Sequence, residues 1–128
     1  MADILLDATI LIDASNNHQR ALPYVDNLLL TQSAATHAQV VAEVLTVTRD
    51  SRELAKLQRF MRRFNLLHAN EADSQSALLY LTRFHLSHDL GFGDCLIGST
   101  ALRLNLPVAT LNDRHFRLFP GLKVIRPY

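Results

Sequence analysis

The chain has 128 residues and a mass of 14.4 kDa, which is the size of one domain and too little for two independent cores. Apolar residues make up 48% of the sequence and charged residues 20%, and this balance excludes a disordered chain. The formal net charge of +1 excludes a polycationic tail, so any binding of nucleic acid has to use a local basic patch.

The cysteine content and the distribution of apolar residues indicate a cytoplasmic protein. Cys95 is the single cysteine, so an internal disulfide and a cysteine-type zinc site are both excluded, and a reducing compartment is favoured. Near the N-terminus Asp3, Asp7 and Asp13 interrupt the apolar residues before a signal-peptide core forms. Further along, no apolar run reaches the about 18 residues that a membrane span requires. We therefore expect a soluble cytoplasmic protein with no membrane association.

Short apolar runs alternate with helical patterns along the chain. The first run, over 4–6, predicts a buried strand that ends in a tight turn at Asp7. Helical periodicity then predicts helices over 36–49, 50–64, 71–86 and 94–104, the second of them opened by a capping box at Asp50 and Glu53. Further strands are predicted over 66–68, 108–110 and 122–125, with a polar turn over 112–115. The alternation favours one α/β domain, a sandwich with a mainly parallel central sheet flanked by helices.

Three polar residues occupy positions at which a parallel sheet usually gathers its ligands. Asp7 and Asn112 follow the ends of predicted strands, and Asp94 opens a predicted helix. Structural interpretations compete with this one, because Asp94 suits a helix N-cap and Asp7 suits a turn. The spacing alone does not show that these residues meet.

Glu43 is a third candidate carboxylate, because it borders an apolar stripe on its predicted helix. A half-buried carboxylate needs an arginine or a metal ion as a partner. If Asp7, Glu43 and Asp94 converge, their charges repel unless a divalent cation neutralises them. Oxygen ligands favour Mg²⁺ or Mn²⁺ over zinc, and such an ion serves phosphodiester hydrolysis.

Four short motifs, in this order, resemble those of PIN-domain ribonucleases, in particular the VapC-type toxins of toxin–antitoxin pairs. Residues 6–12 are similar to the first motif, with an aspartate at the end of strand one and a hydroxyl residue two positions later. Residues 36–49, which contain Glu43, are similar to the second motif, and residues 94–101 resemble the third. Residues 110–116, followed by 120–122, resemble the closing signature. The resemblance covers the chain from end to end.

This resemblance implies a single PIN-like domain over 1–128, a three-layer sandwich with the activity of a metal-dependent endoribonuclease. Asp7, Glu43 and Asp94 would bind Mg²⁺ or Mn²⁺, and with Asn112 they form the implied catalytic set. Many relatives have an aspartate where this chain has Asn112, and the amide lowers the negative charge of the site. We therefore expect one well-held ion.

Further implications concern the supporting residues and the partners. Thr9 would support Asp7 by a hydrogen bond, and Thr110 and Asp113 would support the fourth position. The implied partners are an RNA substrate, a cognate VapB-type antitoxin whose tail covers the acidic groove, and a second copy of the chain in a homodimer.

Basic residues recur at steps of three and four, which predicts one stripe along a helix: Arg49, Arg52, Lys56, Arg59 and Arg63. The functional interpretation is a track for RNA phosphates. The structural interpretation is a solvated helix face or a surface for an acidic partner.

Two other classes of protein remain open at this point. A non-catalytic PIN-like module that binds RNA or a protein is supported mainly by Asn112. A phospho-accepting receiver domain shares the size and the α/β layout, but the chain lacks an acidic pair after its first strand. For Cys95, beside Asp94, and for His115, near the candidate site, packing or capping is the favoured interpretation.

Overall fold

The fold, taken from a computed structural model that describes residues 3–128, alternates helices with short strands. The elements in chain order are β1 (Ile4–Leu6), α1 (Ala8–Ser15), α2 (Ala21–Leu30), β2 (Ala34–His37), α3 (Ala38–Thr46), α4 (Ser51–Met61), β3 (Asn65–Leu67), α5 (Glu71–His88), α6 (Phe92–Leu104), β4 (Val108–Ala109), α7 (Asp113–Phe116) and β5 (Val124–Ile125).

The strands form one sheet in the order β3-β2-β1-β4-β5, and each of its neighbouring pairs is parallel. The first strand lies at the centre, where Leu5 pairs with Ala35 on one side and with Val108 on the other. Parallel strands need crossover connections, and the helices that supply them cover the faces of the sheet. The predicted α/β class with a mainly parallel central sheet is confirmed.

The core lies between the sheet and the helices that follow its central strands. Its largest fully buried apolar side chains come from β1, from α1, α2, α3 and α6, from the residues just before α6 and from the segment around α7: Leu5, Leu6, Ile10, Leu11, Val25, Val40, Val44, Leu90, Ile97, Phe116 and Phe119. Burying this apolar surface is the main favourable term in folding, and it fixes the ends of β1 and β4 relative to α3 and α6.

Side-chain hydrogen bonds cap the starts of α4 and α5. Asp50 caps α4 by accepting from the backbone N–H of Glu53 at 2.8 Å, whereas the Glu53 carboxylate bonds to Arg49 instead of closing the predicted capping box. A complete capping box opens α5, between Asn70 and Asp73. None of the helices within residues 3–128 is long and apolar enough to cross a membrane.

Several predicted elements differ from the structure. The tight turn predicted after β1 is wrong, since α1 begins directly after Asp7, and α2 was not predicted. Thr36 lies in β2 and not at the start of a helix. Every residue of β2 is buried, so the strand has no alternation to distinguish it from the helical pattern that follows. The polar segment 112–115 contains most of α7, a single helical turn.

Candidate active site at the carboxyl edge of the sheet

Asp7 lies where β1 ends and α1 begins, and its side chain is only 3% exposed. Its backbone N–H donates to the carbonyl of Ala109 at 3.0 Å, which extends the pairing of β1 with β4. Its Oδ2 atom accepts from the hydroxyl of Thr110 at 2.8 Å and from that of Thr9 at 3.5 Å. The two threonines therefore hold the carboxylate where two neighbouring strands end.

The two hydroxyl groups are themselves fixed by backbone donors. The Thr9 hydroxyl accepts from the N–H of Leu111 at 3.1 Å, and the Thr110 hydroxyl accepts from the N–H of Asn112 at 2.9 Å. With their lone pairs engaged in this way, the hydroxyl protons are free to point at the carboxylate.

Burial raises the pKa of Asp7, the hydrogen bonds from Thr110 and from the backbone at Ala8 oppose the rise, and the charge of Asp94 adds to it. The hydrogen bonds that Asp7 receives come from neutral donors. A buried carboxylate without a cationic partner is costly, so this position favours a bound cation when the carboxylate is ionised.

Glu43 projects from α3 beside the start of α6 and is half-buried. One turn earlier on the same helix, Gln39 donates from Nε2 to the Oε1 atom of Glu43 at 3.2 Å. A Cβ atom on Gly93 would lie 2.8 Å from Glu43 Oε1 and 2.9 Å from Gln39 Nε2, so the absence of a side chain at Gly93 leaves room for these two side-chain ends between α3 and α6. Burial raises the pKa of Glu43, the Gln39 hydrogen bond opposes this, and the charges of Asp7 and Asp94 add to it.

Asp94 is the third residue of α6, and its neighbours correct one of the structural interpretations. The N-cap of α6 is Gly91, so the N-cap interpretation of Asp94 is wrong. Asp94 Oδ2 accepts a hydrogen bond from the amide of Asn112 at 3.4 Å and lies 3.1 Å from Nδ1 of His115, at the start of α7. Cys95 lies in the core, where burial and then the charge of Asp94 raise the pKa of its thiol to about 11. A thiol of that pKa is not a nucleophile at neutral pH, which agrees with the packing interpretation.

The charges of Asp7, Glu43 and Asp94 act on one another, since Asp94 raises the pKa of Asp7 and both aspartates raise that of Glu43. Within residues 3–128, however, no group of three His, Cys, Asp or Glu side chains is close enough to hold one ion directly. Mg²⁺ usually keeps several of its waters and binds through one or two carboxylates. The donor set therefore fits a partly hydrated hard cation, with oxygen ligands that are buried and mutually repelling.

Asn112 and Asp113, at the fourth position, differ in what they contact. Asn112 precedes α7 and points toward Asp94, with Nδ2 at 3.4 Å from Oδ2. Asp113 instead forms ion pairs with Arg117 at 3.3 Å and with Arg126 at 3.1 Å. The charge of Asp113 is thus compensated by arginines, whereas the amide of Asn112 belongs to the site.

The five basic residues do not form one uniform stripe. Arg49 precedes α4 and forms an ion pair with Glu53 at 3.0 Å. Arg52, Lys56 and Arg59 are exposed on α4, and Arg63 is exposed just after it.

A groove of about 600 Å³ lies beside α4, and only some of these basic residues line it. Arg49, Lys56 and Arg63 line it, whereas Arg52 and Arg59 lie outside it. Apolar side chains of α1, α2 and α4 also line the groove: Ile12, Leu22, Leu57 and Phe60. Val47, the residue that follows α3, lines it as well, so one end of the groove lies about one helical turn from Glu43.

Gln39 and His115 contact the carboxylates but were not predicted as site residues. Gln39 could have been found from its spacing, since a residue four before Glu43 lies on the same face of a helix. The contact of His115 depends on α7, whose single turn leaves no periodic signal.

Comparisons with known proteins place this geometry in a family. The PIN domain family model matches residues 4–122, and the chain belongs to this family. A comparison with curated proteins found no match. The predicted membership of the PIN family is confirmed, and the receiver-domain alternative is thereby set aside.

Solved structures with the same fold include three bacterial toxin–antitoxin assemblies. The first is a toxin–antitoxin complex from Klebsiella pneumoniae, with a TM-score of 0.80, 21% identity and 98% of each chain covered. A DNA-bound VapBC from Salmonella typhimurium has a TM-score of 0.79, 19% identity and 98% of each chain covered. VapBC2 from Rickettsia felis, bound to a DNA fragment from its promoter, has a TM-score of 0.78 and 21% identity over 95% of this chain and 96% of that one.

Proposed function

We propose that the chain is one PIN domain over 1–128 that acts in the cytoplasm as the toxin of a VapBC-type toxin–antitoxin pair. In this proposal it is an endoribonuclease that hydrolyses RNA phosphodiester bonds with Mg²⁺ or Mn²⁺. One observation carries the proposal: three carboxylates, of which Asp7 is buried and Glu43 and Asp94 are half-buried, lie at the carboxyl edge of a parallel sheet, and within residues 3–128 no lysine or arginine pairs with them. Membership of the PIN family and the toxin–antitoxin assemblies among the structural neighbours support it.

Each residue of the site has a role in this proposal. Asp7, Glu43 and Asp94 would hold the cation, in part through its water molecules, and the cation would supply Lewis-acid stabilisation of the phosphate and a water of lowered pKa. Thr110 fixes the rotamer of Asp7 through the 2.8 Å hydrogen bond from its hydroxyl, and Thr9 braces the same oxygen. Asn112 places a polar amide beside Asp94, where it orients water or substrate.

The groove beside the carboxylates supports an antitoxin as the partner. Its apolar lining suits the apolar face of a partner segment, and the basic side chains of Lys56 and Arg63 suit acidic residues on that segment. An antitoxin tail that follows the groove reaches the carboxylates, where an arginine could pair with them in place of the cation. We also propose that two copies of the chain form a homodimer.

The test is a cleavage assay on the full chain, freed of any copurified partner. Total RNA and defined transfer RNAs are incubated with Mg²⁺, with Mn²⁺ or with EDTA, using the unaltered protein and Asp94→Asn. We expect discrete cleavage that requires the metal, and a loss of at least about a hundredfold in rate for Asp94→Asn. Cellular toxicity should disappear in the same variant, while its circular dichroism spectrum is unchanged.

Asp89→Asn is the matched control, since Asp89 is exposed in the left-handed conformation that asparagine also accepts. It should cleave and kill like the unaltered protein. Cleavage that persists in EDTA, or full activity and toxicity of Asp94→Asn, would contradict the proposed reaction.

A second candidate function is a PIN-like module that binds RNA or a protein without cleaving. The amide at position 112 favours it, as do the exposed basic residues outside the groove, Arg52 and Arg59. This function predicts RNA binding that is unaffected by EDTA and weakened by Arg52→Ala and Arg59→Ala. RNA binding without cleavage under every metal condition would favour it over the nuclease.

A further inference from the structure

His115 and Asn112 surround one oxygen atom of Asp94. The Nδ1 atom of His115 lies 3.1 Å from Asp94 Oδ2, and the Nδ2 atom of Asn112 lies 3.4 Å from the same oxygen. Asn112 Nδ2 and His115 Nδ1 are 2.9 Å apart, so the three polar groups form a closed triangle. Asn112 is the N-cap of α7 and His115 lies three residues later within the helix, which places both side chains on the same turn.

Both proton arrangements of this triangle give the same result at Asp94. If His115 Nδ1 carries a proton, it donates to Oδ2 of Asp94. If Nδ1 carries a lone pair, it accepts from one N–H of the Asn112 amide, and the other N–H is directed to Oδ2. In either case one oxygen of Asp94 is engaged by α7, and the other is left for a further ligand.

The position of α7 does not depend on this triangle alone. Phe116 anchors the helix in the core, and Asp113 ties it to Arg117 and Arg126. The contact of His115 with Asp94 therefore adds little that holds the fold together, whereas it restricts the orientation of a carboxylate in the site.

We propose that Asn112 and His115 act together as positioning residues in place of a fourth carboxylate, fixing Asp94 so that the site holds one divalent cation. This inference rests on the proposed metal-dependent function. With a neutral amide at the fourth position and one Asp94 oxygen engaged, the site lacks the charge and the free oxygens that a second cation needs.

The experiment measures Mn²⁺ binding by isothermal titration calorimetry, with free Mn²⁺ followed by electron paramagnetic resonance, on the full chain freed of any partner. We expect the unaltered chain to bind one Mn²⁺. His115→Ala should still bind one, with a Kd raised about 10- to 100-fold, as is typical when a group that orients a metal ligand is lost. His115→Gln should recover most of the affinity because its amide can donate to Asp94, and Asn112→Asp should bind a second Mn²⁺.

His85→Ala serves as the control, since His85 is exposed on α5, and its Mn²⁺ affinity should equal that of the unaltered chain. Melting in EDTA monitors the fold, and His115→Ala should melt like the unaltered chain. The inference is overturned by an unchanged Kd for His115→Ala, by two ions in the unaltered chain, or by a single ion in Asn112→Asp. Each of these results leaves the nuclease proposal standing, whereas a complete absence of Mn²⁺ binding by the unaltered chain overturns both.

Discussion

Gly93 shows how one missing side chain sets the geometry of the site. Its position next to Glu43 Oε1 and Gln39 Nε2 leaves no room for a Cβ atom, while both neighbours are the ends of flexible side chains. A methyl group there would displace the Glu43 carboxylate and leave the backbone in place. The cost of Gly93→Ala should therefore appear in activity and not in stability.

We predict that Gly93→Ala lowers RNA cleavage by at least about tenfold, the result of a displaced catalytic group. The free energy of unfolding should change by less than about 1 kcal/mol, because alanine has the higher helix propensity and offsets the rearrangement. Cleavage rates and urea unfolding measure the two effects. Gly91→Ala is the matched control, as nothing lies within 4 Å of a Cβ there, and it should retain full activity. Equal cleavage by Gly93→Ala and Gly91→Ala would contradict the role assigned to Gly93.

At the scale of single residues, the sequence indicates where the candidate carboxylates lie along the predicted elements, but not which side chains they contact. Asp7, Glu43 and Asp94 could be singled out because each borders a strand end, an apolar stripe or a helix start. Their hydrogen-bond partners Thr110 and His115 lie 103 and 21 residues away along the chain, and such pairings follow from packing that no local pattern encodes. The resemblance to PIN domains supplied Thr110 as a support of the fourth position, whereas its hydrogen bond to Asp7 and the contact of His115 with Asp94 required the structure.

At the scale of elements, a buried histidine connects three helices and a strand. His37 ends β2 and caps α3, because its Nδ1 accepts from the backbone N–H of Gln39 at 3.0 Å. Its Nε2 therefore carries the proton and donates to the hydroxyl of Thr100 on α6 at 3.0 Å. Thr100 contacts Asp73 on α5, which is 2% exposed and bound to Arg103 at 2.8 Å. Both ring nitrogens of His37 are thus engaged in the neutral form.

Burial lowers the pKa of His37, the charge of Asp73 opposes this, and His68 and Arg103 add to it. A histidine whose pKa is lower in the folded chain contributes stability that is complete above its unfolded pKa of about 6.5 and is lost as the pH falls through its folded pKa. We predict that the free energy of unfolding decreases as the pH is lowered from about 7 to about 5. His37 accounts for at most about 1.4 kcal/mol of this decrease per pH unit.

Urea unfolding across this pH range measures the effect. His37→Asn should be less stable overall, since it loses the Thr100 contact, but its stability should depend less on pH, because asparagine caps a helix without titrating. His85→Asn, on the exposed side of α5, should keep the pH dependence of the unaltered chain. An identical pH dependence in His37→Asn would show that another group carries it.

The elements that the sequence predicted are those with a helical period or a bounded apolar run. The predicted helices over 71–86 and 94–104 correspond to α5 and α6, and the strand over 4–6 is β1. The missed elements lack such a signal. Within α1 the residues 10–12 form an apolar run that also suits a buried strand, and only the packing of α1 on α2 and α3 decides between them.

For the whole molecule, the same carboxylates that define the site work against the stability of the metal-free fold. Burial raises the pKa of Asp7 and of Glu43, with the other carboxylates of the site adding to the rise. An acid whose pKa is raised by folding contributes stability below its unfolded pKa of about 4, and this contribution is lost as the pH rises through the folded pKa. At neutral pH the ionised site therefore destabilises the fold, and a cation that binds only the folded chain restores stability.

We predict that Asp7→Asn raises the Tm of the metal-free chain at neutral pH by about 2–6 °C, the shift expected for about 1 kcal/mol in a domain of this size. The asparagine Oδ1 can still accept from Thr110, so the variant loses the buried charge and keeps the hydrogen bond. Adding Mg²⁺ should raise the Tm of the unaltered chain and leave that of Asp7→Asn unchanged, while Asp89→Asn responds like the unaltered chain. Calorimetric melts with EDTA and with Mg²⁺ make this comparison. A lower Tm for Asp7→Asn in EDTA would mean that Asp7 stabilises the fold, and the requirement for a cation would then no longer follow from its burial.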